Sequence, residues 1–207
     1  MLDNRKFFCV SRFIDQVFII GGYDDIRLPF NSALKFCTKA IKWSEVARMN
    51  EARTACSCAI YEGRVVVSGG WNYQNTNGLK TVEAYDHVSD TWSSMPNMTE
   101  GRYYHSIVAM KNKLFVLGGC RANESESCEV FDSESKKFVF LKQKLTSMVT
   151  KPHTVNNTFF IGSKIITLCE NSNKICCYDV EKDEWSEETF NITKNLYDFS
   201  STIIPKI

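Results

Sequence analysis

The chain has 207 residues, of which 43% are hydrophobic and 24% charged. This is a globular composition, and it excludes a disordered or collagen-like chain. The 25 basic and 24 acidic residues leave a net charge of +1, so no general field favours binding to nucleic acid or to an anionic membrane surface.

The apolar runs of the sequence are short. The longest, residues 17–20 and 65–67, have the length of strands and fall far below a membrane span. Near the N-terminus, residues 7–10 form an apolar region too short for a secretory signal peptide. We therefore expect a cytoplasmic protein that does not bind membranes.

The cysteines and histidines do not form a metal-binding pattern. The nine cysteines are odd in number, and without a signal peptide we expect them to be reduced thiols that pack as small apolar side chains. Cys56 and Cys58, like the adjacent Cys176 and Cys177, lack the C-x2-C spacing of zinc ligands. The sequence predicts no metal site and no cofactor.

Diglycines end three of the short apolar runs and give the first sign of a repeat. Gly21-Gly22, Gly69-Gly70 and Gly118-Gly119 lie 48 and 49 residues apart. Self-similarity at such a period indicates a repeat architecture. We expect these strand ends to crowd toward a common axis, where a side chain would clash and a positive φ would favour glycine.

Aromatic pairs recur after the diglycines. Seven residues separate the two members of each pair, which are Phe36/Trp43, Tyr85/Trp92, Phe131/Phe138 and Tyr178/Trp185. In three pairs the intervening turn begins with aspartate, at Asp86, Asp132 and Asp179, and aspartate can close a turn through its own side chain. We expect the two members of each pair to lie opposite each other on neighbouring strands and to fill the space between repeats.

One unit read in full predicts four strands. Residues 106–110, 114–117, 128–131 and 138–141 are short apolar segments separated by polar turns, without helical periodicity of useful length. A four-stranded antiparallel unit of this period is one blade of a β-propeller. The sequence therefore predicts an all-β propeller of about four four-stranded blades.

These units resemble kelch repeats, in particular those of BTB-BACK-kelch (kelch-like) adaptor proteins. The matching pattern is a strand, a diglycine, a variable loop and then residues 83–86 (Glu-Ala-Tyr-Asp), Trp92, Met95, Pro96 and Arg102. It covers about residues 7–190, in repeats at about 1–50, 51–99, 100–148 and 149–190. The fourth repeat departs from the pattern, because Cys169-Glu170 stands where a diglycine is expected.

The resemblance also implies an incomplete ring. Kelch rings of that family usually close with six blades, whereas this chain supplies about four, with residues 191–207 as the start of a further unit. We expect a fragment, a truncated product or a degenerate paralogue, whose first unit keeps residues 7–10 as its remaining first strand. Closure as a four-bladed ring is geometrically possible. An open arc would expose blade edges and favour self-association.

Because propellers host enzymes and binding modules alike, function has to be argued from a site. A hydrolase needs a nucleophile with a base or paired carboxylates, and a kelch-type oxidase needs a copper-binding set of Tyr, His and Cys. The histidines and acidic residues of this sequence fall on turns at non-equivalent positions. We therefore expect no catalytic residues and no enzymatic activity.

The alternative to an enzyme is a binding module that recognises another protein through the loops at one face. The loops after the diglycines vary in length and content, as binding loops on a rigid scaffold do. In substrate-binding kelch domains this face is lined by residues just after each diglycine and just past the arginine that opens a repeat. Carried over by position, the resemblance implies a partner-binding set of Tyr23, Trp71, Asn72, Tyr104 and Arg121, with Ala55 beside them.

This set is rich in Trp, Tyr and Arg, the residues that dominate interface hot spots, and it suits an acidic or polar peptide. Arg53 and Arg102 are expected instead to hold the turns between blades together. The resemblance implies the substrate-recognition part of a cullin-3 ubiquitin ligase adaptor, without the BTB segment in this chain. An actin-associated kelch scaffold is the first alternative and a kelch-fold enzyme the second.

Overall fold

The computed structural model describes residues 4–75, 77–119, 127–142, 158–168 and 174–189, which form sixteen strands and no helix. The strands are β1 (Cys9–Phe13), β2 (Gln16–Ile20), β3 (Ala33–Cys37), β4 (Lys42–Val46), β5 (Ser57–Tyr61), β6 (Arg64–Ser68), β7 (Val82–Asp86), β8 (Thr91–Met95), β9 (Ser106–Met110), β10 (Lys113–Leu117), β11 (Cys128–Asp132), β12 (Lys137–Phe140), β13 (Thr158–Ile161), β14 (Lys164–Leu168), β15 (Lys174–Asp179) and β16 (Glu184–Thr189). Cys169-Glu170 and residues 191–207, on which two sequence predictions rest, lie outside the described residues.

Consecutive strands build four separate four-stranded antiparallel sheets. We call them blade 1 (β1–β4), blade 2 (β5–β8), blade 3 (β9–β12) and blade 4 (β13–β16). This arrangement confirms the predicted all-β propeller architecture. The first strand predicted at residues 7–10 is present, but its bounds are shifted to Cys9–Phe13. Phe7 has a φ of 54° and its carbonyl accepts a hydrogen bond from Ala55 N of the next blade, so β1 begins only at Cys9.

The aromatic pairs lie where the seven-residue separation predicted. Each pair occupies directly opposed positions on the third and fourth strands of its blade, with ring centroids 5.0–5.2 Å apart. The aspartate turns are also confirmed. Asp86 Oδ1 accepts hydrogen bonds from the amides of Val88 and Ser89, and these bonds lower the pKa of the Asp86 carboxyl.

The hydrophobic core lies between the blades. Three clusters of buried side chains join blade 1 to blade 2, blade 2 to blade 3, and blade 3 to blade 4. The first strands of neighbouring blades are linked by small polar side chains as well. Ser57 Oγ accepts from Ile107 N at 3.1 Å, and Thr158 Oγ1 donates to Ser106 Oγ at 2.8 Å. The blades therefore pack side by side in chain order.

A buried arginine ties each diglycine to its surroundings. The guanidinium of Arg53 donates to the carbonyl of Gly69 in its own blade at 2.6 Å and to Glu83 Oε1 at 2.7 Å. Its backbone carbonyl accepts from the amide of Gly22 in the preceding blade at 2.9 Å. Arg102 repeats this arrangement one blade further along. The prediction that these two arginines hold neighbouring blades together is confirmed.

Candidate partner-binding face

In blades 1 and 2 the segment that enters the blade and the loop after its diglycine meet on one face, which we call the loop face. In blade 1, Lys6 N donates to Tyr23 O at 2.8 Å, and in blade 2, Thr54 N donates to Trp71 O at 3.0 Å. The hairpins within each blade lie at the other ends of the strands, on what we call the turn face. The two kinds of position that the sequence singled out are therefore brought together on the loop face.

Three equivalent residues of blades 1, 2 and 3 are joined by a backbone relay. Ala55 N donates to Phe7 O at 2.8 Å, and Tyr104 N donates to Ala55 O at 3.0 Å. All three residues have a left-handed backbone, with φ of 54°, 51° and 55° in chain order. That conformation is costly for a residue with a side chain and persists only where the surroundings fix it. The relay thus holds Phe7, Ala55 and Tyr104 at fixed neighbouring positions.

An aromatic cluster sits on this relay and consists of Phe7, Tyr23, Tyr103 and Tyr104. Phe7 stacks on Tyr23 with ring centroids 5.4 Å apart, and it meets Tyr104 edge-on at 5.7 Å. Tyr104 in turn packs against Tyr103 at 5.4 Å. Phe7 is 49% exposed, while the three tyrosines are partly buried. The cluster presents a rigid aromatic surface to solvent.

Sequence reasoning missed Phe7 and Tyr103. A signal for Phe7 was present, because Arg5 precedes Arg53 by the same spacing as the diglycines and so marks Phe7 as the equivalent of Ala55. Arg5 indeed donates to Gly21 O and to Ser32, as Arg53 does to Gly69 and Thr81.

Trp71 lies in a second apolar area of the loop face. Its partly buried ring packs edge-on against Tyr73, with centroids 4.9 Å apart. The exposed Tyr73 donates through its hydroxyl to the carbonyl of Arg27 at 2.7 Å, which ties the loop of blade 2 to that of blade 1. On either side of Arg27, Ile26 and Leu28 are exposed. We call Ile26, Leu28, Trp71 and Tyr73 the outer patch.

Asn72 is buried and makes its hydrogen bonds within the chain. Its amide donates to Ala52 O at 3.2 Å and to Glu51 Oε1 at 3.3 Å, and its side-chain oxygen accepts from the amides of Gln74 and Asn75. It therefore shapes the loop that carries the outer patch, and we leave it out of the proposed contact surface. Ala55 is also buried and contributes through its backbone. Arg121 lies outside the described residues.

The charges beside the aromatic cluster neutralise one another. Lys6 Nζ donates to Asp25 Oδ1 at 2.8 Å, and Asn4 donates to the other carboxylate oxygen at 3.3 Å. The hydrogen bond from Lys6 lowers the pKa of Asp25, and the same bond raises the pKa of Lys6. At neutral pH this part of the loop face combines exposed aromatic surface with a closed ion pair.

Ser68 and His105 form the one arrangement in the described residues that resembles a nucleophile with its base. Ser68 Oγ and His105 Nε2 are 2.7 Å apart, and both side chains are completely buried. Burial, with smaller contributions from Arg102 and Arg53, lowers the pKa of His105 to about 3. A substrate has no access to the pair, which links the end of β6 to the segment before β9. It ties blades 2 and 3 together.

Neither a metal-binding cluster nor a membrane-spanning helix occurs among the described residues. The described part of the chain contains no group of three or more His, Cys, Asp or Glu side chains placed to hold a metal ion. Within those residues no helix is long and apolar enough to cross a membrane.

Comparison with known proteins gives a consistent result. A family model described as the KLHDC2/KLHL20/DRC7 Kelch-repeats domain matches residues 4–170. Kelch-like protein 40 of Mus musculus is 29% identical over 121 residues, which cover 58% of this chain and 19% of that protein. The Kelch repeat and BTB domain-containing protein F47D12.7 of Caenorhabditis elegans is 30% identical over 133 residues, 62% of this chain and 23% of that protein.

Kelch-like protein 36 of Bos taurus is 25% identical over 199 residues, 91% of this chain and 32% of that protein. The chain thus spans between a fifth and a third of the length of these relatives. The solved structure of YjhT superposes with a TM-score of 0.73 at 14% identity, covering 93% of this chain and 67% of that one. At that identity the superposition supports the fold alone.

Proposed function

This chain belongs to the kelch-repeat family, and we propose that it is a protein-interaction module whose loop face binds the partner. The observation that carries the proposal is the aromatic cluster. Phe7 stands 49% exposed between Tyr23 and Tyr104, on a relay that fixes its backbone. Rigid aromatic side chains give large contact areas at a low cost in conformational entropy, which is why they dominate binding hot spots.

The outer patch extends this surface across blades 1 and 2. Its exposed members are Ile26, Leu28 and Tyr73, and the bond from Tyr73 to Arg27 holds the two loops together. Contiguous exposed apolar area of this kind marks interaction sites on soluble proteins. We propose that a peptide segment of the partner crosses both areas. Arg121, whose guanidinium would pair with an acidic group of that segment, remains a prediction from the sequence.

For the biological role we propose substrate recognition within a cullin-3 ubiquitin ligase adaptor. The support is the similarity to kelch-like proteins 40 and 36 and to a protein named for both kelch repeats and a BTB domain. We also propose a cytoplasmic location, in keeping with the free thiols of Cys9, Cys37, Cys56 and Cys58. No catalytic step is assigned, since the buried Ser68–His105 pair is closed to substrates.

The test is an affinity purification of the tagged chain followed by quantitative mass spectrometry. Tyr104→Ala should deplete a true partner by roughly five- to a hundred-fold, the equivalent of about 1–3 kcal/mol of binding energy. The control is Lys182→Glu, an exposed residue in the β15–β16 hairpin on the turn face. Proteins lost with the first variant and kept with the second identify the loop face. Equal capture by all three forms would refute it.

The ligase role needs a separate test, with the identified partner in hand. Joined to the BTB and BACK segments of a kelch-like adaptor, the chain should cause ubiquitylation of that partner, and Tyr104→Ala should abolish the effect. Co-sedimentation with filamentous actin provides the comparison. Binding to filaments that Tyr104→Ala weakens, without ubiquitylation of any captured protein, would assign the loop face to the cytoskeletal role.

A further inference from the structure

The aromatic pairs of blades 2, 3 and 4 all face the preceding blade. Tyr85 lies 5.7 Å from the ring of Phe18 in blade 1, and Tyr178 lies 6.0 Å from that of Phe115 in blade 3. Phe131 makes the corresponding contact with Tyr61 of blade 2 at 6.1 Å. Tyr85, Phe131 and Tyr178 are each at most 4% exposed. In each of these blades, the flank that carries the aromatic pair is therefore covered by the opposite flank of the preceding blade.

In blade 1 the equivalent flank stays partly exposed among the described residues. Phe36 and Trp43 are paired as in the other blades, with ring centroids 5.0 Å apart. Phe36, the equivalent of Tyr85, is nevertheless only partly buried, and Trp43 is 37% exposed. Register places Val17 opposite Phe36 in the same cross-strand row, and the exposed Val10 lies on the same face. The equivalent Trp92 donates through Nε1 to Ala47 O of the preceding blade at 2.8 Å. We call Val10, Val17, Phe36 and Trp43 the first flank.

The turn beside this flank is apolar where the other blades carry charges. Ile41 is 79% exposed and has a φ of 51°. At the same left-handed position the other blades have Asp90, Lys136 and Asp183. A β-branched residue in this conformation is a genuine outlier. Its presence in blade 1 extends the apolar surface of the first flank to the turn face.

Blade 4 carries the complementary surface. Its Ile165, Tyr178 and Trp185 pack toward blade 3, so Phe159 and Ile166, which are paired in the alternate row, face the other way. Ile161, two residues beyond Phe159 on the same strand, is 64% exposed. We call Phe159, Ile161 and Ile166 the last flank. In blades 1, 2 and 3 the equivalent surface covers the aromatic pair of the following blade. Phe115, the counterpart of Ile166, is the residue that meets Tyr178.

We infer that the first flank of one copy of this chain packs against the last flank of a second copy. The argument is continuity, because the same two surfaces already pack against each other at three interfaces within the chain. The contact is heterologous, since two different patches meet. An assembly of any number of copies therefore keeps one free first flank and one free last flank, to which further copies can bind. The self-association expected at open blade edges is thereby assigned to two sheet faces, independently of the loop face.

The test is the mass of the chain in solution as a function of concentration, by sedimentation velocity and light scattering. The wild type should rise above the monomer mass as the concentration increases. Trp43→Arg on the first flank and Phe159→Arg on the last flank should each remain monomeric. Mixed in equal amounts, the two variants should form a dimer, because each supplies the flank that the other has lost.

The control is Val88→Arg, which places the same charge at an exposed position in the β7–β8 hairpin of blade 2 and should assemble like the wild type. Val10→Arg and Ile161→Arg provide second variants of the two flanks if either first choice fails to fold, as judged by its thermal melt. A wild type that is monomeric throughout overturns the inference. Assembly that persists in both Phe159→Arg and Ile161→Arg would also overturn it, because it would indicate a two-fold contact in which the first flanks of two copies meet.

Discussion

Gly69 and Arg102 belong to neighbouring blades, yet a Cβ atom on Gly69 would overlap the backbone carbonyl oxygen of Arg102. That same carbonyl accepts a hydrogen bond from Gly70 N at 2.9 Å. Gly21 stands in the same relation to Arg53. The diglycines are thus the points where the backbones of successive blades touch. The group that excludes a side chain there is the opening arginine of the next blade.

The first prediction separates this contact from simple conformational strain. Gly69→Ala should destabilise the protein by about 3 kcal/mol or more, because strain at positive φ and overlap with Arg102 add together. The matched control is Gly63→Ala, where φ is +69° but nothing lies within 4 Å of the added methyl group. It should cost only about 1 kcal/mol. Urea unfolding of both variants measures the difference, and equal midpoints would contradict it.

The second prediction concerns the buried ion pair of blade 2. Glu83 accepts hydrogen bonds from Arg53 Nη2 and Asn50 N, both at 2.7 Å, and is nearly fully buried. Glu83→Gln should lower the free energy of unfolding by about 3–5 kcal/mol, because it leaves the buried guanidinium without its nearest counter-charge. Glu45→Gln, an exposed change on β4, should have almost no effect in the same denaturation experiment.

The third prediction compares two tryptophans at equivalent positions. Trp92 packs in the cluster between blades 1 and 2 and donates to Ala47 O, so Trp92→Ala should cost about 3–5 kcal/mol. Trp43→Ala should cost about 1–2 kcal/mol in dilute solution. Trp43 is already 37% exposed, so its truncation removes less buried apolar surface. Thermal melts at low protein concentration test the ranking. If Trp43→Ala proved the more damaging, the assignment of the first flank as partly exposed would fail.

The fourth prediction is a pH dependence that originates at His105. Desolvation lowers the pKa of this side chain from 6.5 to about 3 in the folded protein, whereas the unfolded chain binds the proton near 6.5. Unfolding between these values is therefore accompanied by proton uptake, and stability falls as the pH decreases. The slope should approach about 1.4 kcal/mol per pH unit from this group alone. Above about pH 7 the dependence on His105 should vanish.

Urea midpoints of the wild type and of His105→Gln, measured between pH 4 and 7, isolate this contribution from that of the carboxylates. The difference between the two curves should shrink steadily toward low pH, because only the wild type carries the titrating group. Parallel curves would show that His105 is not responsible. Thermal melts over the same range provide a second measurement.

The fifth prediction assigns Asn72 to the loop rather than to a partner. Asn72→Ala removes the acceptor of the Gln74 and Asn75 amides and the donor to Ala52 O. We expect a loss of about 1–2 kcal/mol in stability, as for other buried polar groups left unpaired. Partner binding should fall less than with Tyr104→Ala when both are measured below the unfolding transition. A variant with wild-type stability and lost binding would place Asn72 in the contact after all.

Much of the fold could be predicted from the sequence because it depends on the spacing of residues that lie close together in the chain. The seven-residue separation of Tyr85 and Trp92 and the Asp86 turn between them define a hairpin whatever surrounds it, and the structure confirms both. The diglycines marked the ends of the second strands for the same reason. The start of β1 was not predicted correctly from residues 7–10 alone. The backbone of Phe7 is held by Ala55 of the next blade, and the sequence signal for that equivalence, the spacing of Arg5 and Arg53, lies outside residues 7–10.

The candidate site could be predicted from the sequence only through the positions of its residues within the repeats. Equivalent places in successive repeats predicted that Tyr23, Trp71 and Tyr104 would share a face, and hydrogen bonds between the segments bring them to the same loop face. The position of a residue within its repeat did not predict whether its side chain is exposed to solvent. Asn72 follows Trp71 directly, yet its side chain is buried and bonds to Ala52, Gln74 and Asn75 within the chain, which favours a structural role.

By itself the sequence determined the period, the strands and the family resemblance, because hydrophobic alternation, turn residues and glycine positions act over a few residues. Tertiary structure alone decided which flank of each blade is covered. Phe36/Trp43 and Tyr85/Trp92 are alike in the sequence, but Phe36 is only partly buried while the equivalent Tyr85 is fully buried. The physical reason is that burial depends on whether another sheet lies against the pair, and that contact joins residues far apart in the chain.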